Sequence, residues 1–112
     1  MSSSKLLKGS LATIVMRLLE EQEKMYGYEI TQKVKELTAG EFKITEGALY
    51  PTLHKLEAEG YLSTETKMVD NRVRKYYTLT REGNAAAKSK VAELEEFIVH
   101  LQKVLNPKPG LG

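Results

Sequence analysis

The sequence has no cysteine and no tryptophan, and its 112 residues include only three prolines and two histidines. Without cysteine there is no disulfide staple, thiolate metal centre or thiol nucleophile, and the chain suits a reducing, cytoplasmic setting. His54 and His100 fall on different predicted helices, so no spacing suggests a metal site or a nucleophile–base pair. GxSxG, HExxH and a glycine-rich phosphate loop are all missing. No apolar run approaches the roughly 18 residues of a membrane span. The opening MSSSKLLKGS has too short an apolar stretch for a signal peptide. Net charge is also scarce, at +2, so the position of the charges matters more than their sum. Catalysis, metal, cofactor and membrane all lack support.

What the chain does have is periodicity, in a length that suits one domain with a modest core. A first helix is expected from Ser10, its cap, to Gln22, with Leu11, Ile14, Val15, Leu18 and Leu19 as a wide apolar stripe. Residues 1–9 are expected to be a flexible start, and 107–112 a flexible tail. A second helix is expected over Tyr28–Leu37, with Gly40 as terminator. The stretch ITEGALYPTLHKLEAEGYL, Ile44 to Leu62, predicts a third. Thr45 caps it, Leu49, Leu53 and Leu56 keep helical phase, and Gly60 stops it.

Pro51 falls inside that third helix, where a missing N–H and a ring clash cost about 3 kcal/mol. Its ring would press on the carbonyl of Gly47, the residue best able to tilt away. One reading is a continuous helix bent after its first turn; the other is a helix that starts only at Pro51. The phase of Leu49 favours the first.

From Tyr61 the period changes. YLSTETKMV and RVRKYYTLT, on either side of Asp70-Asn71, predict a hairpin. Val73, Lys75, Tyr77 and Leu79 share one face, and Arg72, Arg74 and Tyr76 the other. Thr80 then caps a last helix, Arg81 to about Leu105, which Asn106-Pro107 stops. The expected class is mainly α with a small β-hairpin.

In the last helix Asn84, Ala87, Val91, Leu94, Ile98, Leu101 and Leu105 recur in steps of three and four. Val91 and Ile98 take heptad a positions, and Leu94 and Leu101 take d, an arrangement suited to two-stranded association. Phe97 and Val104 add a second row. Folding back on its own domain is the alternative. A 25-residue helix spans roughly 37 Å, however, more than so small a body can cover. A homodimer is expected.

Nucleic acid is the partner that the charges suggest. A helix opening with TEGA lets backbone approach a duplex, because Gly47 and Ala48 carry little side chain. Thr45 and Tyr50 can donate to phosphates or base edges, and Ala48 can touch a thymine methyl. Lys43, Glu46, His54 and Lys55 lie around them. Arg72, Arg74 and Lys75 gather near the hairpin tip, with Lys67 on the facing strand.

YGYEI (Tyr26 to Ile30), EGALYPTLHKLEAEGYL (Glu46 to Leu62) and RKYYTLTREG (Arg74 to Gly83) resemble the PadR family of bacterial transcriptional regulators. The resemblance covers about residues 10 to 105, and the LYPxLxxLExxG core is its most specific part. It implies a winged helix-turn-helix over residues 10–80 and a dimerisation helix over 81–106, aided by Leu11, Ile14 and Leu18 of the first helix. The single last helix resembles the short subgroup. Binding to double-stranded DNA at an inverted-repeat operator, usually as a repressor, is implied with it. So are a recognition helix beginning at Thr45, DNA proximity for Tyr50, a phosphate contact at Tyr26 and inward packing of Tyr77.

The wing turn VDNR lacks the Gly/Pro-rich insertion of many relatives. Relatives that hold flat aromatic ligands between their last helices use aromatic residues there, and Leu94 and Phe97 are the nearest equivalents here. The resemblance leaves open a small-molecule effector, unidentified, at the dimer interface. The alternative reading is a dimeric winged-helix protein-interaction module without DNA readout.

Overall fold

The computed structural model describes residues 3–108. Its elements run α1 (Ser3–Glu21), β1 (Met25–Tyr26), α2 (Gly27–Leu37), α3 (Glu46–Ala58), β2 (Leu62–Val69), β3 (Arg72–Leu79) and α4 (Arg81–Leu105). The strands form one antiparallel sheet in the order β1-β3-β2. The class is the expected one, with a third, two-residue strand that the sequence does not announce. β1 lies along the free edge of β3, Met25 opposite Tyr77 and Tyr26 opposite Tyr76.

The core is one cluster. Leu11, Val15, Met16, Leu18 and Leu19 of α1 meet Ile30 and Val34 of α2, Leu49, Leu53 and Leu56 of α3, and Leu62, Tyr77 and Leu79 of the sheet. Burying each such aliphatic side chain contributes about 1.5–3 kcal/mol. Since no buried side-chain polar atom among the described residues lacks a hydrogen-bond partner, that gain is not offset by unsatisfied groups.

α1 begins at Ser3, not at Ser10. Ser10 is no cap: its hydroxyl donates back to the Leu6 carbonyl at 3.1 Å. Lys5, Leu6, Leu7 and Lys8 are good helix formers and carry the helix two turns further. Most of the stretch expected to be flexible is therefore helical.

α3 is continuous from Glu46 to Ala58 with Pro51 inside it, and Thr45 caps it by accepting from the Ala48 N–H at 3.2 Å. Its buried residues are Leu49, Leu53 and Leu56, the three in phase. Pro51 therefore points outward, where its ring displaces no core atom. The hairpin turns on two residues, Asp70 and Asn71, with φ of 50° and 61° and Val69 opposite Arg72. Paired positive φ values match the right-handed twist of the strands.

α4 matches its expected bounds, and its first turn is bolted to the corner between α3 and β2. The Thr80 hydroxyl donates to the Gly60 carbonyl at 2.7 Å and accepts from the Gly83 N–H at 2.9 Å. A Cβ on Gly83 would collide with the Tyr61 carbonyl, so glycine is what permits this approach. Only Gly83 and Ala87 of α4 are buried. Its far half leaves the body of a molecule that is 65 Å long and 30 Å by 21 Å across.

Candidate nucleic-acid interface

The phase that buries Leu49, Leu53 and Leu56 turns Gly47, Pro51, His54 and Ala58 outward as one exposed ridge along α3. The ridge is low: a glycine, a proline ring and an alanine, with His54 the only long side chain. A Cβ at Gly47 would meet nothing within 4 Å, so packing within the chain does not require glycine there. Thr45 is occupied as the cap, and Glu46 favours the positive end of the helix dipole.

Tyr50 stands on the wing side of the ridge, 37% exposed. Its ring leans across the start of α2, where a Cβ on Gly27 would collide with the Tyr50 hydroxyl. The glycine of YGYEI in effect seats the tyrosine of ALYP. His54 follows one turn along, its ring 6.4 Å from that of Tyr50. Between them and the sheet is a cleft of about 310 Å³ lined by Tyr26, Gly27, Tyr50, His54, Arg74 and Lys75, among others.

The wing cations divide between two faces. Lys75 shares the inner face with Tyr77, and its ammonium lies 3.7 Å from Glu57 of α3. Thr64 donates to the other Glu57 oxygen at 3.4 Å. Glu57 thereby ties α3 to the hairpin. Lys67 and Arg74 sit opposite each other on the outer face, and exposed Arg72 closes the tip. Arg74 lies 4.5 Å from the centroid of Tyr26, which meets Tyr76 edge-on at 5.4 Å. Lys24 and Lys67 each stand 5.7 Å from the Tyr76 centroid.

These two ammonium groups crowd each other. Contact with Lys24 pulls Lys67 below its ordinary value, while contact with Lys67 and then Glu65 holds Lys24 above its own. Hydrogen bonding to Tyr76 raises Arg74 further, so it stays charged. Burial raises the Tyr77 hydroxyl, as its inward packing requires. The α2 end of this surface is fixed by Glu29, whose carboxylate accepts from the Tyr26 N–H at 3.0 Å.

Several expected positions change meaning. Ala48 is half-buried against the core on the α1 flank of α3, away from the ridge, because it sits one residue off that phase. Lys55 is exposed on that flank, and Lys43 lies in the loop before α3. Lys75 does not join Arg72 and Arg74, since strand alternation sends it to the other face. Lys24, Gly27 and Glu57 do not stand out in the sequence. The paired glycine and tyrosine could have signalled Gly27; the other two depend on tertiary placement.

The surface expected to dimerise also divides. Leu11 is 1% exposed and Leu18 6%. Both are used in the chain's own core. Ile14, Val91 and Leu94 are half-buried. With Leu18, Val34, Leu37, Phe42 and Ile98 they line an apolar groove of about 270 Å³ between α1, α2 and α4. Beyond it Phe97, Leu101, Val104 and Leu105 are exposed. Among the described residues no cluster of acids and histidines could hold a metal, and no helix is long and apolar enough to cross a membrane.

A family profile described as "Transcriptional regulator PadR-like family" matches residues 15–89. The transcriptional regulator Rv3488 of Mycobacterium tuberculosis is 41% identical over 73 residues, 65% of each chain, so the match spans just under two thirds of that relative. A transcriptional regulator from Clostridium thermocellum superposes with a TM-score of 0.77 at 31% identity, covering 95% of this chain and 99% of that one. Bacillus subtilis PadR, solved in complex with operator DNA, superposes with a TM-score of 0.65 at 28% identity over 72% of this chain and 46% of that one.

Proposed function

The chain belongs to the PadR-like family of transcriptional regulators, and from that premise we propose that it represses transcription by binding an inverted-repeat DNA operator as a homodimer in the cytoplasm. The family is one of regulators rather than enzymes. The observation that carries the DNA reading is the low outward ridge of Gly47, Pro51, His54 and Ala58, edged by Tyr50 and the wing cations. A ridge of small residues lets backbone enter a major groove about 12 Å wide. Tyr50 and His54 then reach base edges or sugar. Arg72, Arg74, Lys67 and Tyr26 contact phosphates, which position the head without reading sequence. The B. subtilis relative solved on operator DNA supports the assignment.

The homodimer reading rests on α4. Its second half carries an apolar row that its own chain covers only in part. The groove beside Val91 and Leu94 offers a seat for the same row from a second copy. Such reciprocal burial is what a twofold interface provides.

Selection of bound sequences from random duplex DNA tests the whole reading. A twofold dimer should enrich inverted repeats with half-sites about one helical turn apart. Enrichment of single half-sites, or of no sequence, would refute it.

A further inference from the structure

We propose that the first two turns of α1 form a second DNA-backbone contact, on the flank of α3 opposite the wing; this rests on the DNA reading above. Because α1 starts at Ser3, Lys5 and Lys8 stand one turn apart on a formed helix, both exposed. With Lys43 they line a cleft of about 370 Å³ that continues onto Thr45 and Gly47, the start of α3. Its floor is apolar, made by Leu11, Ile44 and Ala48. Further along the same flank Lys8, Lys55 and Lys90 line a second, smaller cleft with Glu59.

Like Lys67, Arg72 and Arg74 of the wing, the lysines on this flank form no ion pair among the described residues. Arg17, Lys24, Lys33, Lys75 and Lys88 each lie within ion-pair distance of a glutamate. Among the described residues Lys5, Lys8, Lys43, Lys55 and Lys90 do not. The carboxylates near them in the chain are Glu41 and Glu46 on either side of Lys43, Glu59 one turn after Lys55 and Glu93 one turn after Lys90, so the five lysines still outnumber the four acids. Like charges gathered without partners raise the local concentration of a polyanion and speed its approach.

The position of the patch selects the polyanion. A helix in the major groove has a phosphate backbone on each side. The wing supplies cations for one wall only, and the α1 lysines stand where the other passes. A single anion would need one convergent pocket, whereas these lysines form a line along α3. Duplex DNA fits a line.

The test uses the full chain carrying Lys5→Gln and Lys8→Gln, substitutions that keep helix propensity. Binding is followed by fluorescence anisotropy on a selected operator and on an unrelated duplex, over a range of salt. Each phosphate that no longer meets a lysine should lower the slope of log affinity against log salt by about 0.9, hence by about 1.8 for each bound head. Both duplexes should lose affinity by similar factors, with sequence preference unchanged. Lys8→Arg should keep the parent slope, and so should Lys103→Gln at the far end of α4. A parent with a steep slope and a double variant with the same slope would overturn this inference and leave the DNA reading standing. A parent that binds no duplex would overturn both.

Discussion

Replacing Ile98 probes the proposed interface at a side chain that its own chain covers only in part. Its side chain is 45% exposed in the single chain, so a partner can cover at most that share. Full burial of an isoleucine contributes about 1.5–3 kcal/mol, which makes the share available to a partner about 1 kcal/mol. Twofold symmetry counts it twice, about 2 kcal/mol, so Ile98→Ala should weaken the dimer roughly 30-fold. Ile98→Glu should do far more, because each carboxylate entering an apolar seam must be desolvated at several kcal/mol. Within the chain the covered share of Ile98, a little over half, is also lost, so monomer stability should fall by about 1–1.5 kcal/mol. Sedimentation velocity over a dilution series, read beside a thermal melt at low concentration, separates the two effects. The expected order is parent, then alanine, then a monomeric glutamate variant whose operator affinity has collapsed. A glutamate variant as dimeric as the parent would refute the reasoning and move the interface off α4.

Three further outcomes are expected. Arg72→Ala with Arg74→Ala should flatten the salt slope by up to about two units per bound head, weakening specific and random DNA alike; a shift in sequence preference instead would assign the wing to readout. Pro51→Ala should melt higher, since proline is worth about 3 kcal/mol less than alanine in a helix interior, yet bind its operator less well; unchanged affinity would show that the proline plays no part in aiming the ridge. Gly27→Ala should cost about 1–3 kcal/mol in a denaturation curve by forcing Tyr50 aside, and adding Tyr50→Ala should recover most of it; a loss that persists in the double variant would place the strain elsewhere.

Local chemistry is legible where one short stretch carries the whole cause. Thr45 and Thr80 cap their helices, Asp70-Asn71 make the hairpin turn, and alternation turns Tyr77 inward, each within a few residues of sequence. The start of α1 misleads because a serine after glycine looks like a cap, while the helix propensity of Lys5 to Lys8 prevails over it. β1 is invisible, since a two-residue strand exists only through its partner β3. The site meets the same limit. Periodicity identifies the buried side of α3, but it cannot tell which flank Ala48 will face or that Lys75 will meet Glu57. Leu11 and Leu18 belong to the apolar stripe of α1, yet a stripe does not record whether its own chain or another covers it.

The bolt at Thr80, Gly60 and Gly83 makes α4 a lever. Its first turn cannot move without carrying the corner at the end of α3. A rod of about 37 Å converts a tilt of roughly 5° into about 3 Å at its end. In a pair joined along α4, a small change in the crossing angle would respace the two α3 ridges against a fixed DNA repeat. If such a pair forms, a molecule wedged into the apolar groove beside Leu94 would shift that spacing from a distance, without approaching a base.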